Sequence, residues 1–167
     1  MLRKLGLIFI MLLIVPCIGC GGGGDSGTNV DDNHDYAVEA TLVGDDPNDR
    51  RQFNSNDVFT NNVGNFAFGF SAVDGNTTII ISIQNVDGEP LVPETFDMGA
   101  NESERVFASA SIVYDNGSEN IVYNAIDDSG AIALNSLNAF GASGVFSFTA
   151  TYVGNTFTAN GRFDVVF

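Results

Sequence analysis

Apolar and polar residues alternate with a period of two over most of the chain from Tyr36 to Phe167, and this pattern constrains the fold most. Ile79, Ile81 and Ile83 share one face of such a run, and Phe146 and Phe148 share a face of another. Successive side chains of a β-strand point to opposite faces, so alternation predicts half-buried strands. No window shows the helical spacing i, i+3, i+4, i+7 over three turns. We therefore expect an all-β domain over residues 36–167.

Residues that tolerate tight turns separate these runs at Asp74-Gly75, Asn116-Gly117, Ser129-Gly130 and Gly154-Asn155. Short turns between consecutive runs indicate antiparallel neighbours. We expect an antiparallel meander of about eight strands that forms a sandwich or barrel, because closure or doubling protects exposed sheet edges. Two segments without clear alternation, Val43 to Asn65 and Val86 to Glu104, are expected to be long loops.

The first nineteen residues have the organisation of a secretory signal. Arg3 and Lys4 precede an apolar run from Leu5 to Val15, which has the length of a signal-peptide core. Ile18-Gly19-Cys20 resembles the end of a bacterial lipobox. That resemblance implies cleavage before Cys20 and acylation of its side chain. A plain signal or an uncleaved anchor is the alternative, although the run is shorter than the ~20 residues that span a bilayer.

Residues 20–35 are then a lipidated Cys and a flexible tether rich in Gly, Asp and Asn. The whole chain has a net charge of −15. After cleavage the chain would keep four arginines, no lysine and all 21 acids, a net charge of −17. Phosphate binding requires clustered Lys and Arg, so we expect no nucleic-acid partner. The expected partner is a membrane, contacted through the N-terminal lipid, and a protein or glycan partner stays open.

Few residues are available for common catalytic mechanisms. Cys17 would leave with the signal, Cys20 would carry lipid, and His34, the single histidine, lies in the tether. The folded domain would therefore lack a Cys nucleophile, a positioned His base and a Schiff-base lysine. We expect a protein that is not an enzyme and has no catalytic residues. An envelope hydrolase that uses two carboxylates is the enzymatic alternative.

We expect no cofactor, and calcium is the one alternative that the sequence offers. Asp45, Asp46, Asp49 and Asp57 lie close together with asparagines between them, and hard oxygen donors are the ligands of calcium. The spacing departs from that of an EF-hand loop. We therefore expect a solvated loop without metal, in which Arg50 and Arg51 offset the acids.

Two further alternatives concern the aromatic residues. Tyr114 and Tyr123 flank the Asp115–Asn120 turn and could form a sugar-binding platform, or could lie on the inward strand face with their hydroxyls near the rim. Phe163, Val165 and Phe167 resemble the closing strand of an outer-membrane β-barrel, which would face lipid with its apolar side.

The C-terminal part of the chain carries a further resemblance. Its elements are Gly130 to Leu134, Gly144 to Phe148 and Gly161 to Val165, each a Gly followed by a short alternating strand. This pattern resembles a group of uncharacterised bacterial lipoprotein domains, and the similarity would cover most of Tyr36 to Phe167. The resemblance implies a β-rich lipoprotein and no particular activity.

These observations converge on a lipid-anchored β domain of the bacterial cell envelope, at the periplasmic or surface face of the outer membrane. We expect a binding, interaction or structural module. A calcium-dependent or carbohydrate-binding module, an outer-membrane barrel and a hydrolase are the alternatives.

Overall fold

The computed structural model of the chain describes residues 36–46, 48–63, 66–101 and 106–167. The predicted signal, the lipidation site Cys20 and the tether lie outside the described residues. Within the described part all regular structure is β, which confirms the predicted fold class. No helix in that part could reach across a bilayer. Its strands are β1 (Val38–Gly44), β2 (Arg50–Ser55), β3 (Asp57–Val63), β4 (Ala67–Asp74), β5 (Thr77–Asn85), β6 (Thr95–Asp97), β7 (Gly99–Asn101), β8 (Val106–Asp115), β9 (Asn120–Asn138), β10 (Gly141–Tyr152) and β11 (Asn155–Val166).

The strands form one antiparallel sheet in the order β2-β1-β11-β10-β9-β8-β5-β4-β3, with β6 paired to β9 and β7 paired to β8. The two ends of this order, β2 and β3, are separated in the chain by Asn56 alone. The chain therefore runs along one edge of the sheet, bends, and continues along the other edge. This connection makes the sheet a nearly closed barrel.

Hydrogen bonds hold the two edges together at the bend. The buried hydroxyl of Ser55 donates to the carbonyl of Val73 at 2.6 Å and accepts from the backbone N–H of Asp57 at 3.1 Å. Farther along, the hydroxyl of Thr60 donates to the carbonyl of Val166 at 3.3 Å, which joins β3 to β11. An exposed sheet edge invites pairing with other chains, and this closure protects both edges over part of their length.

The interior of the barrel is apolar, as the alternation predicts. Ile79, Ile81 and Ile83 are buried, whereas Ile80 between them is partly exposed. Phe68 lies against Phe163 from across the barrel, with ring centroids 5.7 Å apart. The large side chains that are almost completely buried are Phe53, Phe68, Phe148, Ile79, Ile81, Ile83, Met98, Ile132 and Val38.

The prediction of a loop from Val43 to Asn65 is wrong over much of its length, because β2 and β3 lie there. β3 alternates only between exposed and partly buried positions, and its inward positions include Thr60 and Asn62. A strand with polar residues on both faces has no hydrophobic period, so its sequence does not resemble a strand. Val86 to Glu104, the other expected loop, contains the short strands β6 and β7.

The predicted turn at Ser129-Gly130 is also wrong, because β9 continues through it as one 19-residue strand. β10 pairs Phe148 with Gly130 and Ala150 with Ala125, so the residues between Ala125 and Gly130 form a bulge. The bulge includes Asp128 at a φ of 58°. Before the bulge the odd-numbered residues Tyr123 and Ala125 face inward, and after it the even-numbered residues Ile132 and Leu134 do. The bulge therefore shifts the inward-outward alternation by one residue.

The other three predicted turns are confirmed. Gly75, Gly117 and Gly154 lie between strands with φ values of 59°, 84° and 82°. These turns, together with the turn from Asp45 to Asp49, lie at one end of the barrel, where β5, β9, β11 and β2 begin. We call this end the mouth.

Candidate functional site

A cavity of about 360 Å³ opens at the mouth of the barrel. It lies where the end of β1 and the end of β8 meet the first residues of β2, β5, β9 and β11. Its walls combine apolar and aromatic side chains with a charged rim. The lining residues are Leu42, Asp45, Asp46, Asp49, Arg51, Thr77, Ile112, Tyr114, Ile121, Tyr123, Asn155, Thr156 and Phe157.

Three aromatic rings line this cavity, those of Tyr114, Tyr123 and Phe157. Tyr123 and Phe157 meet edge to face, with centroids 5.0 Å apart and planes at 87°. The ring of Tyr123 also lies near that of Tyr152 on the neighbouring strand, with ring centroids 5.8 Å apart. Such edge-to-face pairs fix ring orientation. Tyr114 and Tyr123 are partly buried and line the cavity, which matches the second of the two positions considered for them.

The side chain of Arg51 lines the cavity and lies against two of its rings. Its Cζ atom lies 5.4 Å from the ring centroid of Tyr114 and 5.7 Å from that of Phe157. Its Nε atom donates to the carboxylate of Asp49 at 3.1 Å. This bond raises the pKa of Arg51, which as an arginine is charged at any physiological pH in any case. Arg51 therefore combines a salt bridge with two cation–π contacts.

Asp45 connects the turn after β1 to the start of β11. Its carboxylate accepts a hydrogen bond from the backbone N–H of Thr156 at 2.9 Å and another from the hydroxyl of the same residue. These two bonds lower the pKa of Asp45, because both favour the ionised form. The turn itself is held by the bond from the N–H of Gly44 to the carbonyl of Asp49 at 2.9 Å.

The four aspartates proposed as calcium ligands divide between two places. Asp45, Asp46 and Asp49 line the cavity, whereas Asp57 begins β3 at the bend. The three at the mouth have different partners, since Asp46 accepts from the N–H and side-chain amide of Asn48 at 2.8 and 2.9 Å. Among the described residues, no three His, Cys, Asp or Glu side chains are grouped closely enough to hold a metal ion. Calcium binding stays an alternative to the expected loop without metal.

A second hollow, of about 260 Å³, lies where β8 and β9 diverge, and it is lined by Phe107 to Ala110, Gly99 and residues 124, 125 and 127. Its lining is dominated by small side chains, with one carboxylate from Asp127. It lacks the converging aromatic rings and charged groups that make the mouth cavity a candidate site.

Sequence reasoning did not assign Phe157 or Thr156 to a site, and it assigned Arg51 only to offsetting nearby acids. One signal could have found them. They are near the first residues of strands that begin at the same end of a closed sheet, and such residues surround the mouth of a barrel. Comparison with protein family models, curated proteins and solved structures found no match for this chain.

Proposed function

We propose that this protein is a lipid-anchored binding module of the bacterial cell envelope, and that it takes a small ligand in the mouth cavity. The aromatic walls and charged rim of that cavity carry the proposal. Small-molecule sites are concave and mostly apolar, with a few polar groups that fix orientation, and they occur at the mouths of β-barrels. The mouth cavity has each of these properties.

The direction of β1 supports an anchored arrangement. β1 runs from Val38 toward the mouth and ends at Gly44, where the rim begins. At ~3.3 Å per residue, the cavity lies about 20 Å along this strand from Val38. A ligand site at this end of β1 stands away from a tether that precedes residue 36. The anchor itself is proposed from the sequence of residues 1–20, above all Cys20.

The carboxylates at the mouth support binding over hydrolysis. A general acid needs a raised pKa, whereas hydrogen bonds from Thr156 lower the pKa of Asp45. Asp49 is paired with Arg51. The burial of large apolar side chains inside the sheet supports an anchored domain over a membrane-spanning barrel, whose apolar face points outward to lipid.

A blocking substitution tests the site. Asn155 lines the mouth, and Asn160 lies on the exposed outer face of the same strand. We expect the full chain to bind the neutral fluorescent probe N-phenyl-1-naphthylamine. Asn155→Trp should reduce its affinity at least about tenfold by filling the cavity, and Asn160→Trp should leave it unchanged. Equal binding by both variants would refute the site.

The anchor is tested separately with the two N-terminal cysteines. In bacteria fed a labelled fatty acid, we expect the label on the full chain and on Cys17→Ser, but not on Cys20→Ser. Because both substitutions exchange sulfur for oxygen in the same segment, only the modified position should matter. Label on Cys20→Ser, or none on the unaltered chain, would refute lipidation at Cys20.

A further inference from the structure

We propose that the ligand of the mouth cavity is an organic cation, with a guanidinium or ammonium group on an apolar stem, and that it competes with the side chain of Arg51 for one position. This inference rests on the proposed function and names the class of ligand. Three observations support it: a guanidinium of the chain already lies against the aromatic rings, the rim has a negative net charge, and the salt bridge of Arg51 is exposed to solvent.

The cavity already contains a cation of this kind, supplied by the chain itself. The guanidinium of Arg51 lies against the rings of Tyr114 and Phe157, and Asp49 binds its Nε edge. Aromatic faces attract cations within about 6 Å of the ring centroid, and a carboxylate completes the recognition. The same groups would recognise an external guanidinium or ammonium group.

The charge of the rim favours a cation over an anion. Three aspartates and one arginine line the cavity, which leaves a net charge of −2 there. The whole chain, of which the rim is a part, has a net charge of −15. A concave site of one sign attracts ligands of the opposite sign and repels those of its own. Anionic ligands are disfavoured both by the local rim and by the whole domain.

Arg51 is held weakly enough to leave. Its side chain is 44% exposed and that of its partner Asp49 is 39% exposed, so water and salt screen the pair. Asp45, by contrast, is fixed to another strand by two hydrogen bonds from Thr156. When Arg51 swings outward, the rings and Asp49 become accessible. The ligand's stem would then pack on Leu42 and Ile112, which are buried lining residues.

Three probes with the same butyl stem test the class of ligand on the full chain: n-butylguanidinium, n-butylurea and pentanoate. The first two are close in shape and differ in charge. We expect n-butylguanidinium to bind at least about tenfold more tightly than n-butylurea, and pentanoate to bind least, in titrations followed by calorimetry at low salt. Asn155→Trp should abolish the binding of the cation.

Arg51→Gln then tests the competition. If the seated guanidinium blocks the site, the apparent affinity for n-butylguanidinium should rise about three- to tenfold when the blocked fraction is removed. Arg50→Gln is the matched control, because it changes the net charge equally at an exposed position outside the cavity lining. A fall in affinity in Arg51→Gln, or an equal rise in both variants, would overturn the competition.

The outcomes separate this inference from the function on which it rests. Equal binding of n-butylguanidinium and n-butylurea, or tighter binding of pentanoate, would overturn the cationic ligand while the cavity remained a binding site. If Asn155→Trp and the unaltered chain bind every probe equally, including N-phenyl-1-naphthylamine, both proposals fail.

Discussion

The carboxylate of Asp45 accepts a hydrogen bond of 2.9 Å from the backbone N–H of Thr156, although 111 positions separate the two residues in the chain. The bond joins the turn after β1 to the start of β11 and thereby fixes one side of the cavity. The side-chain hydroxyl of Thr156 donates to the same carboxylate, and this bond together with the backbone bond lowers the pKa of Asp45, so the stability of the fold depends on pH.

The first prediction concerns this dependence. A carboxyl whose pKa is lower in the folded than in the unfolded chain stabilises the fold above its unfolded pKa, ~3.9, and the stabilisation is lost as pH falls through the folded pKa. Asp45→Asn should lower the melting temperature at pH 7, and the difference from the unaltered chain should shrink at pH 2. Circular dichroism melts measure this. Asp46→Asn is the control, because the hydrogen bonds of its side chain reach only nearby Asn48; a pH-independent difference for Asp45→Asn would contradict the argument.

The second prediction concerns the closure of the barrel at Ser55. Ser55→Ala would remove a buried hydroxyl and leave the carbonyl of Val73 and the N–H of Asp57 without this partner, at a cost of about 1–3 kcal/mol. Urea denaturation measures the loss. Ser82→Ala, at an exposed position of β5, should change the free energy of unfolding by less than about 0.5 kcal/mol. Equal effects would show that the bend does not depend on this hydroxyl.

The third prediction concerns the bulge in β9. A Cβ atom at Gly130 would overlap the backbone of Ser147 and Phe148, so Gly130→Ala should destabilise the fold by about 3 kcal/mol or more. Gly117→Ala is the control, because Gly117 also has a positive φ but open space around it, and it should cost about 1 kcal/mol. Chemical denaturation of both variants gives the comparison. Similar losses would argue against close packing at Gly130.

The fourth prediction concerns two phenylalanines near one another in the sequence. Phe148 is completely buried beside Phe146, whereas Phe140 is 81% exposed at the turn between β9 and β10. Phe148→Ala should cost about 3–5 kcal/mol through lost burial and a residual cavity. Phe140→Ala should cost less than about 0.5 kcal/mol. A large loss in Phe140→Ala, measured by urea denaturation, would mean that this side chain is covered.

The fifth prediction concerns strain at the hairpin between β10 and β11. Val153 and Gly154 have φ values of 48° and 82°, the combination that two-residue hairpins usually assign to Asn-Gly. A β-branched residue is strained at positive φ. Val153→Asn should therefore raise the free energy of unfolding by about 1 kcal/mol. The same substitution at Val145, which lies exposed within β10, should give no such gain; a loss at Val153 would contradict the strain.

The amino-acid sequence by itself determined the fold class and much of the core. Ile79, Ile81 and Ile83 are buried because a strand's side chains alternate, and this rule is local. Turns at Gly75, Gly117 and Gly154 were predictable because positive φ favours glycine. The sequence also predicted the all-β barrel or sandwich, though not its eleven strands in the described part of the chain.

Only the tertiary structure decided where the chain closes and what surrounds the cavity. β2 and β3 lack hydrophobic alternation, so their pairing depends on edges that exist only once the other strands have assembled. Arg51 contacts Tyr114 and Phe157 because three distant strands have ends at the same mouth. The local alternation of apolar and polar residues indicates which face of a strand is buried. Contacts between distant strands, however, depend on strand register and barrel closure, which are properties of the whole sheet.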